Sequence, residues 1–237
     1  MTNKRNYLPF KVSIDVKTPT YLQETYWWAY VHPKAVKFFE RQWLVNLILL
    51  GNFARLRDTV LNEIGDVQGN VLQIACVYGD FSSRLAQQLK PDAHLDIVDV
   101  LPIQLSNAHH KLKQYHNVTL WHQNSTALDF TDGSYDNVVV FFLLHEQPQE
   151  VRIQTIHEAL RVTKPGGKLI FVDYHCPNRF NPFRYLMQPV LYLLEPFALD
   201  MWKQEIISWL PEKNHSTEIY KETWFGNFYQ KVVIIPK

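Results

Sequence analysis

The segment Val71–Phe81, VLQIACVYGDF, limits the possible folds more than any other part of this 237-residue chain. It is an apolar run ending in a turn that contains Gly79, followed by Ser82, Ser83 and a helical pattern. A buried strand that breaks sharply into a helix N-terminus is where doubly wound α/β folds hold a nucleotide-like ligand. The contents of the turn are unusual for that role. Such turns usually carry an acid and several glycines, whereas this one carries Gln73, Ala75, Val77 and Tyr78.

The chain beyond the turn keeps alternating. Strands are expected over 70–76, 93–99, 118–122, 136–143 and 168–172, with helices over 82–89, 103–115 and 148–162 between them. Lys164, Pro165, Gly166 and Gly167 stop the last helix. Alternation of this kind predicts a mostly parallel sheet with helices on both faces. Two closing runs, 218–225 and 228–235, are separated by Gly226-Asn227 and read as a hairpin. Upstream, Pro9 and Pro19 oppose helix over an N-terminal arm. Helical spacing then runs over 21–31, 33–48 and 53–64. The expected organisation is an arm and helical lobe over 1–66 and an α/β domain over 67–237. The latter includes an apolar, proline-bounded helical insertion over 176–211.

Composition narrows the partners. A net charge of +1 provides no general positive field for nucleic acid. Two cysteines, Cys76 and Cys176, cannot make a disulfide framework and suit a reducing compartment. Aromatic residues make up 14%, which fits either a well-packed core or a pocket for a large apolar ligand. No apolar run approaches the ~20 residues that span a bilayer. A soluble protein or one lying on a membrane surface is expected, and no secretory signal is visible at the N-terminus.

The order of elements resembles the class I S-adenosylmethionine-dependent methyltransferases. The resemblance rests on VLQIACVYGDF at the first turn, Asp99 ending the second strand, and YDNVVVFFLLHEQP at the fourth. LRVTKPGGKLIFVD at the fifth strand and the closing hairpin complete it. Within that superfamily the chain is similar to the rhodoquinone biosynthesis methyltransferase-like proteins, relatives of the ubiquinone-pathway methyltransferases. The segments ETYWWAYVHPKAVKFFERQWLVNLILLGNF, ACVYG, LEPFALDMW and GNFYQKVV carry this second likeness. The resemblance implies an α/β, Rossmann-like fold with a mostly parallel seven-stranded sheet ending in an antiparallel hairpin. It also implies conversion of ubiquinone to rhodoquinone. A ring methoxy group is replaced by an amino group, with S-adenosylmethionine as amino donor and a divalent metal, taken as manganese, as helper.

The residues themselves suggest a donor site with altered contents. The expected donor-binding set is Gln73, Ala75, Val77, Tyr78, Gly79, Asp99, Val100, Asn124, Ser125 and Phe142. Gln73 can accept a hydrogen bond but brings no charge to hold an ammonium. Val77 adds bulk where a glycine would allow close approach. Asp99 ends its strand where a carboxylate can accept both ribose hydroxyls. Asn124 follows the third strand, where its carbonyl could read an adenine amino group.

His145 and Tyr78 are the catalytic candidates, His145 as a general base or as a metal ligand. The metal candidates are His145, Glu146, Asp173 and His175, from two adjacent strand ends. Tyr26, Tyr30, His145 and Tyr174 are expected to touch the substrate. His109, His110, His116, His122, His157 and His215 lack such placement and read as surface residues. Arg179 and Arg184 beside Phe180 and Phe183 suggest an interfacial anchor on the inner face of a cytoplasmic membrane. Three readings stay open: amino transfer to ubiquinone, conventional O- or C-methylation of a quinone or small aromatic, and a non-catalytic binding protein.

Overall fold

The computed structural model describes residues 10–13, 16–211 and 217–237. Pro9 of the expected arm and His215 lie outside that set. The chain opens with β1 (Lys11–Val12), α1 (Thr20–Glu24) and a π-helical turn at Trp27–Val31. Three helices follow, α2 (Pro33–Phe39), α3 (Gln42–Ile48) and α4 (Phe53–Ile64). The alternating part contains β2 (Asn70–Ile74), α5 (Phe81–Gln87), β3 (His94–Asp99), α6 (Pro102–Leu112) and β4 (Val118–His122). It continues through β5 (Tyr135–Phe141), a 3-10 turn at Leu144–Glu146, α7 (Gln149–Val162) and β6 (Thr163–Tyr174). The insertion holds α8 (Pro182–Leu194), α9 (Asp200–Lys203) and a 3-10 turn at Ile206–Trp209. The hairpin β7 (Glu218–Trp224) and β8 (Tyr229–Ile235) closes the chain.

These strands form one sheet in the order β1-β4-β3-β2-β5-β6-β8-β7. Every pair from β1 to β6 is parallel, and β8 is antiparallel to both β6 and β7. The expected α/β architecture is therefore present, with β1 as an eighth strand added at the edge. In β2, Val71, Leu72, Gln73 and Ile74 are all buried because helices cover both faces of a central parallel strand. The chain leaves β2 toward β3 and β4, then returns to its other side as β5. A crevice opens at the carboxyl ends where strand order reverses in this way.

Local departures from the sequence reading have local causes. The helical spacing over 21–31 becomes α1 plus a π-helical turn, in which the His32 amide donates to Trp27 O five residues back. The helix expected over 33–48 breaks after Phe39, because Arg41 adopts an extended backbone. The break places Glu40 against α6, where its carboxylate takes Asn107 Nδ2 and Lys111 Nζ. The strand expected over 168–172 extends in both directions to become β6. The hairpin turn holds Phe225, Gly226 and Asn227 all at positive φ. A Cβ on Gly226 would lie 2.8 Å from Asn181 Nδ2, so the glycine lets the turn dock on the start of α8. Phe53, Leu56 and Val60 of α4 are fully buried in the same core as the sheet. Leu22, Tyr26 and Leu101 instead form a small separate cluster where the first helices lie on the core.

Candidate active site

The turn after β2 is held by its own backbone and by two side chains. Ala75 sits at φ +74°, a strained conformation for a residue with a Cβ, and its amide donates to Val98 O at 2.9 Å. Gln73 is fully buried and its Nε2 donates back to Ala75 O at 2.8 Å, leaving Oε1 without a partner. Gln73 therefore shapes the turn from behind. Gly79, at φ +80°, lets the turn pass close to Phe53 and Gln42, which a Cβ would meet at 3.0 and 2.9 Å. Lys111 reaches from α6 to donate to Val77 O and Gly79 O.

Asp99 stands at the end of β3. Its Oδ2 accepts the Cys76 amide and its Oδ1 the Leu101 amide, each at 2.8 Å. Burial pushes its carboxyl up to about 6, against the pull of those amides. Asp99 lines a small cavity of about 60 Å³ together with Ala75, Cys76, Val100, Asn124, Ser125, Glu146 and Gln147. Tyr21, Leu22 and Tyr30 line it from the N-terminal lobe. Asn124 Oδ1 accepts the Thr126 amide in its own turn, so the expected adenine-reading carbonyl is already engaged locally.

A second cavity, about 470 Å³, lies on the other side of Tyr30, Cys76 and Glu146, which line both. Its walls are largely apolar: Leu47, Ile48 and Leu49 near α3, and Met187, Val190, Leu191 and Leu194 of α8. Leu47, Ile48, Val190 and Leu194 are also exposed, which puts its mouth between those helices. At the inner end stand Phe142, His145, Tyr174 and Glu195. Phe142 was expected beside the donor, but it faces this second cavity, again with a positive φ of +53°. Its ring is edge-on to His145 and Tyr174 at 5.8 and 5.5 Å.

His145 is the polar centre of that inner end. Its Nδ1 lies 2.9 Å from Asp173 Oδ1. Asp173 also accepts the amides of Leu144, His145 and Tyr174, so it fixes both the ring and the 3-10 turn. Buried Arg152 supports the same turn from α7 by donating to Leu144 O and Gln147 O. The other imidazole nitrogen, Nε2, points at Glu146 Oε1 and Glu195 Oε2, 3.8 and 3.9 Å away. Burial alone would lower the His145 pKa, but Asp173 and then Glu195 and Glu146 raise it to about 9. Burial raises both Glu146 and Glu195, so the two carboxyls resist being ionised together.

Two expectations need correction. The metal set of His145, Glu146, Asp173 and His175 does not converge. Asp173 is occupied by three amides and His145, while His175 lies against Asn227 O and Glu205 beside the hairpin. Among the described residues no group of three or more His, Cys, Asp or Glu is arranged to hold an ion. Tyr78 is not a free catalytic phenol either. Its hydroxyl donates to Ala29 O and receives Gln104 Nε2, both at 2.8 Å, while its ring stacks on Tyr30 and Phe39. It acts as a strut between the lobe and the turn, and its ring forms part of the larger cavity's wall. Of the expected substrate neighbours, Tyr174 lines the larger cavity edge-on to the imidazole at 4.9 Å, whereas Tyr26 is fully buried and lines neither cavity. Glu195 and Arg152 were not foreseen. No local pattern marks either one, because tertiary packing alone buries them.

Known proteins match this arrangement. A family profile described as a methyltransferase domain matches residues 71–167. Demethylmenaquinone methyltransferase of Listeria monocytogenes is 33% identical over 168 residues, 66% of this chain and 70% of that protein. An S-adenosylmethionine-dependent methyltransferase from Aquifex aeolicus superposes with a TM-score of 0.56 at 18% identity, over 86% of this chain and 98% of that one. N-methyltransferase NodS from Bradyrhizobium japonicum, in complex with S-adenosyl-l-homocysteine, gives 0.52 at 17% identity, over 77% and 84%. With Asp99 at the strand end, the donor cleft at the sheet's reversal point and a relative this close over most of its length, the chain belongs to the class I S-adenosylmethionine-dependent methyltransferases.

Proposed function

We propose that this protein transfers a group from S-adenosylmethionine to the ring of a tailed quinone, and that the reaction is exchange of a ring methoxy group of ubiquinone for an amino group. The observation that carries the quinone reading is the pairing of two cavities that share Glu146 and Tyr30. One is small and contains Asp99. The other is long-walled, apolar and ends at a polar cluster, which suits an aromatic head with a hydrocarbon tail. Amino transfer is favoured by the first turn. Gln73 turns its amide onto Ala75 O, so the residue in the usual acid's place offers no charge to fix the donor's ammonium. Conventional C-methylation is the second reading, favoured by the similarity to demethylmenaquinone methyltransferase.

In either case His145 works as a cation at neutral pH. Its raised pKa makes Nε2 a proton donor toward a ring oxygen, so it stabilises charge developing there instead of acting as a base. Glu146 and Tyr30 form the boundary across which the transferred group passes. A divalent metal would supply Lewis acidity to the quinone when bound, but the four residues expected to hold it do not converge, and no step here depends on it.

Trp43 and Leu47 of α3, and Tyr185, Leu186, Tyr192 and Leu193 of α8, are exposed apolar residues on the two helices that also line the larger cavity. With Arg179 and Arg184 close to the N-terminus of α8, this face suits a peripheral position on the cytoplasmic membrane. No helix among the described residues is long and apolar enough to cross a membrane. Incubation with S-adenosylmethionine and a short-tailed ubiquinone, with and without manganese, tests the reaction by product mass. Amino-for-methoxy exchange supports the first reading and a gain of one methyl group the second. An unchanged quinone sinks both. Flotation with anionic liposomes tests the surface, and protein left wholly in solution argues against it.

A further inference from the structure

Two polar atoms at the inner end of the apolar cavity, Glu195 Oε2 and His145 Nε2, stand close without bonding each other. His145 Nε2 makes no hydrogen bond among the described residues, and Glu195 Oε2 is buried beside the Tyr26 hydroxyl. His145 Nδ1 and both oxygens of Asp173 are engaged, and Arg152 grips the turn from behind. An imidazole nitrogen and a carboxyl that stand at the end of one cavity without bonding each other mark a place for a ligand atom.

The spacing is specific. Glu195 Oε2 and His145 Nε2 are 3.9 Å apart, too far to bond each other. A third atom lying off the line between them can be about 2.8 Å from both. Glu195 is also held in place. It caps α8 with its amide on Leu191 O, and Pro196 follows it. Its carbonyl accepts the Ala198 amide, so the backbone is fixed on both sides. Met187, Val190, Leu191 and Leu194 of the same helix line the cavity leading to it. A hydrocarbon tail lying along α8 would therefore deliver the attached ring to the C-terminal end of that helix.

We propose that Glu195 is an acceptor-binding residue, gripping one oxygen of the substrate ring together with His145 Nε2. This rests on the quinone reading above and adds the group that registers the ring against the transferring atom. Glu195 supplies one hydrogen-bonding carboxyl and His145 supplies the N–H. The recognised chemistry is a ring-bound oxygen, carbonyl or hydroxyl, at the head of an apolar chain.

The test compares wild-type protein with Glu195→Gln and Glu195→Leu, using a short-tailed ubiquinone and S-adenosylmethionine. Quinone binding is followed by quenching of tryptophan fluorescence and donor binding by calorimetry. Glu195→Leu is expected to weaken quinone binding and lower kcat/KM roughly hundredfold, and to leave donor Kd unchanged. Glu195→Gln, which keeps a hydrogen-bonding side chain of the same shape, is expected to recover activity to within roughly tenfold of wild type. If wild type binds quinone and both variants bind it equally well, the assignment of Glu195 is overturned while the quinone reading stands. If wild type binds no quinone at all, the quinone reading fails and this inference falls with it.

Discussion

The two cavities that meet at Glu146 and Tyr30 are built on opposite plans. The donor side is about 60 Å³, and its polar atoms are mostly engaged, Asp99 by two amides and Asn124 by its own turn. The acceptor side is about 470 Å³, apolar, open between α3 and α8, and carries His145 and Glu195 at its end. Tyr21 and Leu22 line the first from the N-terminal lobe, whereas the second opens between α3 and α8. The first helices, which roof the donor side, pack through a small separate cluster, whereas α4 of the same lobe belongs to the main core, so opening the roof alone exposes few buried groups. If the donor occupies the smaller cavity, that roof must lift, whereas the larger cavity already has room for a ligand.

That contrast is most exposed at Asp99. Asp99→Asn places an amide NH2 where the carboxylate now accepts either the Cys76 or the Leu101 amide. It also removes the charge offered to the donor's ribose. Loss of charge-assisted hydrogen bonds of this kind costs about 1.5–3 kcal/mol, roughly ten- to hundredfold in donor affinity. Calorimetry with S-adenosylmethionine is expected to show that loss, while quinone binding changes less than twofold or so. Equal damage to both ligands would mean that the two cavities are one site.

The mirror experiment fills the other cavity. Met187→Trp adds bulk to a wall of the acceptor cavity that a tail must pass. The acceptor's KM is expected to rise roughly tenfold, with donor Kd unchanged, in line with the 1–3 kcal/mol typical of overpacking. An unchanged KM would place the tail elsewhere.

A smaller effect separates the cavities by pH. Asp99 is neutral below about 6 in the free protein, and as the proposed ribose group it would accept both hydroxyls only when ionised. Its folded value lies above the unfolded one, so folding of the free protein takes up a proton and stability falls as pH rises through that window. Donor binding acts in the other direction. Affinity is full above 6 and is lost as pH falls through it, by roughly fourfold between pH 7.5 and 5.5. Calorimetry across that range checks the sign, and affinity that rises on acidification would exclude the carboxylate as the ribose group.

The same contrast marks what the sequence made legible. Asp99 could be placed because strand alternation fixes where a strand ends, and a carboxylate there has one obvious use. The turn's substitutions could also be seen, although not that Gln73 would turn onto Ala75 O and leave the donor. The acceptor end was poorly legible. Glu195 is one acid among 23 Asp and Glu residues, in a proline-bounded insertion whose helical pieces gave no hint of burial. Arg152 sits in an amphipathic helix where an arginine normally reads as solvated, and becomes visible only when the 3-10 turn folds over it. The proposed metal set failed for the same reason. Neighbouring strand ends bring residues near each other, but Asp173 was already claimed by backbone amides that no spacing rule displays.

The smallest effect tests the gate itself. Tyr21 lines the smaller cavity and packs edge-on against Phe197 at 6.4 Å, a contact between the first helix and the insertion. Tyr21→Ala removes that contact without touching Asp99 or the turn after β2. If entry of the donor is limited by lifting of this roof, stopped-flow association with S-adenosylmethionine should speed up roughly two- to threefold, because the open form becomes more populated. Dissociation should speed up by more, since the roof also covers the bound donor, leaving Kd slightly weaker. Quinone association should not change, because its entrance lies between α3 and α8. A donor association rate equal to that of wild type would mean that the cleft opens at another hinge and that the lobe's aromatic packing does not control access.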